Sequence, residues 1–315
     1  MSAPKSAPLP ASQPDSARRT PPLLAYALLP ATALMFSANM LVARATAHEL
    51  PPASLAFWRW AGALLLMLAF SAGPLWRHRA AALREWPDML FLGGLGMGIC
   101  GAAVYLGAAT TSATNIGLIY AASPVLIILF ARLFYGETMG GRQMLGVGLC
   151  LAGVLAVIGR GQVETFLGLR FTIGDLLILA AAIGWAVYSV VLKHRPSALP
   201  PTARLAAITI GGLLSLLPFV LLEPAIGRPY PLSWHGVGVA AFLALVPGFG
   251  AYQAYGYVQR HLGAGPTGLI MYLSPLSTGL LAFLLLGEDL HLYHLAGAAL
   301  VLPGIFLATG AGLPK

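Results

Sequence analysis

Arg59 is the residue with the sharpest chemistry in this chain: it stands between two tryptophans, Trp58-Arg59-Trp60, inside a long apolar run. A basic side chain at the centre of a bilayer costs about 2.5–3.5 kcal/mol on insertion scales, so it persists where it snorkels to headgroups, pairs, or faces a wet cavity. Two readings follow: a snorkelling arginine flanked by tryptophan anchors, or a cavity arginine gripping a carboxylate or phosphate by paired hydrogen bonds. The other candidates to bind a small molecule are Asn39, Tyr105, Tyr120, Trp185, Tyr188, Tyr252, Gln253, Tyr255 and Tyr272, all within apolar runs. Tyr and Trp join an apolar body to one polar tip, which suits amphipathic solutes and equally suits packing or a lipid-facing place. Glu137 and Glu288 each follow a glycine at the end of an apolar run, and read as helix-end residues bonded to backbone or to basic neighbours. Asp175 follows Thr172-Ile173-Gly174 and reads as a helix cap.

No enzyme is expected. All seven histidines fall between apolar runs or at their ends, and no nucleophile stands with its base. His291 and His294 could share a metal on a helix but lack a third ligand, so no metal or cofactor is expected. Gly94-Leu95-Gly96-Met97-Gly98 lies inside an apolar run with no strand before it, and is no nucleotide loop. No Asp or Glu falls well inside an apolar run, so no buried carboxylate relay for protons is expected.

The elements that position these residues follow from composition. Of 315 residues 58% are hydrophobic and 9% charged, against about 25% charged in soluble domains. Runs such as Leu23–Val42, Leu55–Phe70 and Leu269–Leu286 are long enough, or nearly so, to cross a hydrocarbon core of about 30 Å. The fold class expected is all-α integral membrane, with ten transmembrane helices near 23–43, 54–73, 88–108, 112–134, 142–159, 175–193, 203–222, 236–258, 264–286 and 292–310. Residues 1–22, rich in Pro, Ser and Ala, read as a disordered cytoplasmic tail. The net charge of +8 implies no nucleic acid. With the N-terminus inside, all but Arg44, Arg59, Arg160, Arg170 and Arg228 of the 18 basic residues fall on the cytoplasmic side, which puts both termini there. Cys100 and Cys150 lie inside apolar runs and read as small packing residues.

The chain repeats itself. At an offset of 151, Gly117-Leu118-Ile119 matches Gly268-Leu269-Ile270, Ser123-Pro124 matches Ser274-Pro275, and Gly136-Glu137 matches Gly287-Glu288. The same offset pairs Gly146 with Gly297 and Gly153 with Gly304. At 149, Phe36 matches Trp185, Pro51-Pro52 matches Pro200-Pro201, and Gly62 matches Gly211. The expected units are 23–160 and 175–310, five helices each. An odd number of helices per unit inverts the second across the membrane, an arrangement that suits alternating access about a midplane site. Pro124 and Pro275, expected in mid-helix, would kink the chain there or act as hinges.

These residues resemble the drug/metabolite transporter superfamily in its ten-helix EamA-type branch. The resemblance rests on Phe36-Ser37-Ala38-Asn39 in the first helix, Arg59 after the proline-containing loop at Pro52, Pro124 with an apolar run ending in Gly136-Glu137, and Pro275 with Gly287-Glu288. It spans roughly residues 23–310. Phe36 stands where the family often has Trp and Ser37 where it has Gly, and Ile208 occupies the place of Arg59 in the second half. The resemblance implies export or exchange of small metabolites, amino acids among them, across the inner membrane. Phosphorylated or nucleotide-linked solutes are the alternative, although they call for several cavity cations and Arg59 alone is at depth.

Overall fold

A computed structural model describes residues 22–46, 49–108, 110–111, 116, 119–162, 164–168, 172–225, 227, 229–231, 233–286 and 291–309. The tail before Pro22, Gly117-Leu118, Gly287 and Glu288 lie outside the described residues.

The described chain makes ten long helical passages. They are α1 (Leu23–Thr46), α2 (Pro52–Arg77), α3 (residues 86–108), α4 (Ile119–Tyr135), α5 (Gly141–Ile158), α6 (Ile173–His194), α7 (Pro201–Ala225), α8 (Trp234–Leu262), α9 (Ile270–Leu286) and α10 (Leu292–Thr309). Eight are long and apolar enough to cross a bilayer, and α4 and α9 are shorter apolar helices. The protein is an all-helical, multi-pass membrane protein. Leu, Phe and Trp side chains such as Phe70, Leu133 and Leu284 point outward, as a lipid-facing surface requires.

The third helix of each half widens into a π-helical stretch, Gly94–Ala103 in α3 and Ala244–Gly250 in α8. Such stretches are rare and collect at functional places. Pro275 lies inside α9 as expected. Pro124 does not lie in mid-helix. The helix breaks at Ala122, and Pro124 enters at the start of the segment Ser123–Tyr135, where a missing backbone N–H costs nothing.

Packing follows the repeat. α1 lies on α8 and α9, and its counterpart α6 lies on α3 and α4; α2 meets α8 as α7 meets α3. The matched pairs α2–α7 and α5–α10 pack on each other. At α5–α10 four glycines bring the backbones together. A Cβ on Gly146 would stand 2.5 Å from the Gly304 carbonyl oxygen, and one on Gly153 2.7 Å from that of Gly297. Residue numbers rise along α5 as they fall along α10, so the two helices run antiparallel. Since each is the fifth helix of its half, the halves are inverted with respect to each other.

Candidate functional site

The site forms where the halves interlock. On α1, Phe36 and Asn39 share a face at i, i+3, and on α6 their counterparts Trp185 and Tyr188 do the same. Tyr252 and Tyr255 come from α8, again at i, i+3, and Trp60 from α2. The rings pack mostly edge to face. Trp60 and Tyr252 lie 4.7 Å apart between centroids, Trp185 and Tyr255 5.1 Å, and Phe36 5.7 Å from both Trp185 and Tyr252. Trp185 stacks on Tyr188 at 5.5 Å. The Tyr188 ring fits because Gly96, in the π-helical stretch of α3, has no Cβ; one built there would lie 2.8 Å from it. Two hydroxyls are anchored: Tyr252 donates to the Gly96 carbonyl at 3.2 Å, and Tyr255 shares a 2.7 Å bond with Ser189.

Arg59 enters this cluster from α2. It is 6% exposed, while Trp58 is 45% exposed and Trp60 fully buried. The arginine therefore turns inward with Trp60, and Trp58 faces outward; Arg59 does not snorkel. Its Nη1 donates to Asn39 Oδ1 at 2.7 Å, and its guanidinium lies 4.6 Å over the Trp60 ring. Tyr105 donates to the same Asn39 oxygen at 3.1 Å. Arg59 Nε has no partner, and neither do the indole nitrogens of Trp60 and Trp185. Among the described residues no carboxylate pairs with the guanidinium, and the group that accepts from it is an amide oxygen.

The other expected residues scatter around this cluster. Tyr120 packs outside it, with Val104, Ile178 and Ala181. Tyr272 is fully buried with its hydroxyl unpaired. Gln253 bonds Thr202 at the start of α7 at 3.1 Å, because one residue along a helix turns the side chain about 100° away from Tyr252. Glu137 meets Lys193 and, at 2.8 Å, His194 on α6. Desolvation raises the Glu137 carboxyl, but these two partners outweigh it and hold it below the ordinary range. Asp175 caps α6 through Thr172 and also accepts from Thr111. Among the described residues no three His, Cys, Asp or Glu are grouped to hold a metal.

Sequence reasoning passed over Glu223. The seventh helix was expected to stop at 222, but it runs to Ala225 and its last turn holds a buried carboxylate. That carboxylate accepts from Ala53 N at 2.7 Å, Ser54 N at 2.8 Å and Ser54 Oγ at 2.6 Å. It thereby caps the bare N-terminus of α2, where Pro51 supplies no side-chain cap. Arg59 lies about a turn and a half further on. Trp60 was legible only as an anchor, because nothing in Trp58-Arg59-Trp60 says which indole faces in.

The comparisons agree with this architecture. A solved structure described as "Crystal structure of protein" superposes with a TM-score of 0.72 at 19% identity, over 91% of this chain and 95% of the other; at that identity the likeness concerns the fold alone. The uncharacterized transporter YyaM of Bacillus subtilis is 28% identical over 92% of this chain and 95% of its own length. A probable terminal-alkyne amino-acid exporter of Streptantibioticus cattleyicolor is 29% identical over 76% of this chain and 78% of its own. A probable amino-acid metabolite efflux pump of Salmonella typhimurium is 24% identical over 87% and 91%. The EamA-like transporter family matches residues 23–159 and again 172–310, nearly the whole described chain. With two inverted five-helix halves and two matches in tandem, the chain belongs to the EamA-like transporter family.

Proposed function

We propose that the protein exports or exchanges small carboxylated metabolites, amino acids and their relatives among them, across the inner membrane. Residues 23–160 and 175–310 act as two inverted units that open the central cluster to either side in turn, with both termini in the cytoplasm. The observation that carries this reading is the inward Arg59, with its free Nε and, among the described residues, no carboxylate partner. A buried cation left with donor capacity to spare suits an anionic ligand, since an unpaired buried charge is otherwise strongly unfavourable. Among the described residues Arg59 is the one buried cation, while Arg204 is held by the Leu192 and Arg195 carbonyls; one such cation suits one carboxylate better than the several charges of a phosphorylated or nucleotide-linked solute. The names of the Streptantibioticus and Salmonella relatives point the same way. The cluster is filled by its own rings, so Tyr252 and its neighbours have to move for a solute to pass.

The test is flux in proteoliposomes over a panel of metabolites, with wild type, Arg59→Lys and Arg59→Ala. Arg59→Ala is expected to abolish uptake of carboxylated solutes. Arg59→Lys keeps the charge but loses the fork, and should retain a minor fraction. Unchanged flux in Arg59→Ala removes the assignment.

A further inference from the structure

Among the described residues, the side-chain groups of the central cluster left without any partner are N–H donors. Arg59 Nε, Trp60 Nε1 and Trp185 Nε1 are buried, unpartnered N–H donors. Asn39 Oδ1, the amide oxygen among them, already accepts from Arg59 and Tyr105, which uses both its lone pairs. The Gly96 carbonyl is taken by Tyr252. Among the described residues the buried carboxylates, Glu223 and Asp175, sit at helix ends and are bonded to backbone N–H groups and hydroxyls. Among the described residues, what is left for an incoming donor is phenol oxygen on Tyr105, Tyr252 and the neighbouring Tyr120, weak and a poor match for the three N–H bonds of an ammonium. An aromatic face could hold a cation instead, but the Trp60 face is already covered by the guanidinium of Arg59, and the remaining rings largely pack edge to face on one another. A primary ammonium brought here would be desolvated without acceptors and close to a fixed positive charge, both unfavourable. A carboxylate meets the opposite situation.

Resting on the carrier reading above, we infer that the solute is a monocarboxylate with an apolar tail and no free ammonium, such as an N-acylated amino acid or a simple aryl or alkyl carboxylate, and that the free amino acid is the poorer substrate. The carboxylate takes the free N–H groups beside Arg59, and the tail displaces the Tyr252 ring among Phe36, Trp60 and Trp185.

Binding to the protein in nanodiscs, read by quenching of tryptophan fluorescence, tests this alongside proteoliposome flux. Four probes share one tail: N-acetyl-L-phenylalanine, its methyl ester, 3-phenylpropionate and L-phenylalanine. The two acids without an ammonium are expected to bind at least tenfold more tightly than L-phenylalanine and than the ester. That preference should vanish in Arg59→Gln, whose fold is checked by monodisperse gel filtration; Arg59→Lys is the substitute should Arg59→Gln fail to fold. If L-phenylalanine binds as tightly as the two acids and depends on Arg59, the inference falls while the carrier reading stands. If the ester matches the acid, the carboxylate is not the handle and the inference falls. If none of the four binds or moves in an Arg59-dependent way, both readings fall together.

Discussion

Ser37 and Ser123 show how far the duplication has been broken one residue at a time. Ser37 on α1 donates to the Ser274 carbonyl at 3.0 Å and lies 3.2 Å from its hydroxyl. By the repeat, Ser274 corresponds to Ser123 and Ser37 to Ala186. With an alanine in place of its partner, the buried Ser123 hydroxyl is left unpaired. Removing a made hydrogen bond costs about 1 kcal/mol, whereas removing an unsatisfied buried hydroxyl costs little or is favourable. Ser37→Ala is therefore expected to lower the melting temperature in detergent, and Ser123→Ala to leave it unchanged or raise it; the reverse order would refute the pairing. The same substitution pattern makes the solute site one-sided, since Arg59 and Asn39 correspond to Ile208 and Tyr188. These asymmetries are visible in the sequence as mismatches at a fixed offset. Their meaning is not, because only the folded chain shows that Asn39 and Arg59 bond each other and that Trp60 joins them while Trp58 does not.

Helices were the easiest feature to read, since a long apolar run has few other fates in a bilayer. Their ends were harder. α2 runs to Arg77 through Pro74, and α7 to Ala225 through Pro218 and Pro224, because a proline near a helix end removes few backbone bonds and neighbouring helices support the rest. This is why Glu223 went unread: a charge directly before Pro224 and four residues before Gly227 signals a boundary, and its role depends on α2 arriving beside it. The glycines matched across the repeat, Gly146 with Gly297 and Gly153 with Gly304, admit the close helix contact, whereas Gly94 faces open space. Gly153 lies with its missing Cβ against the Gly297 carbonyl, the Val301 side chain and Leu300, whereas Gly148, on the same helix, faces open space. Gly153→Ala would force two backbones apart and should cost about 1–3 kcal/mol. Gly148→Ala should be neutral or gain up to about 1 kcal/mol from helix propensity. Thermal unfolding of the two variants in one detergent checks this, and a Gly153→Ala protein as stable as wild type would mean the α5–α10 contact is looser than the geometry requires.

At the scale of the whole molecule, acidic side chains tie each half to the other at opposite faces. At one face the first half supplies the acids: Glu85 accepts from Ser197 and from Ala198 N, Asp88 pairs with Arg195 at 2.7 Å, and Glu137 pairs with Lys193 and His194. At the other face the second half supplies the buried ones, with Glu223 on Ala53 and Ser54 and Asp175 on Thr111, while Glu49 of the first half meets His235 at 3.2 Å at an exposed position. This exchange of roles is what an inverted duplication produces, and it gives the two faces different chemistry. The first set includes ion pairs at water-accessible positions, whereas the buried Glu223 bonds neutral groups, Ala53 N, Ser54 N and Ser54 Oγ. Glu85 and Glu137 both titrate below the ordinary carboxylate value of 4.5. For each, desolvation acts upward and is outweighed: at Glu85 by the bonds from Ser197 and Ala198 and the charge of Arg204, at Glu137 by Lys193 and His194. A carboxyl whose value falls on folding adds stability above its unfolded value, and that stability is lost as pH drops below 4.5 through the lower folded value. Melting temperature measured from about pH 7 to pH 3 should therefore fall on the acid side. The decline should be shallower in Glu137→Gln and shallower still in Glu85→Gln/Glu137→Gln. Added salt should weaken the wild-type clasp near neutral pH, by a small amount since these pairs are partly solvated. If the double variant kept the full acid slope, the acids of the first half would contribute nothing to holding the halves together, and the closed state of that face would have to rest on apolar packing alone.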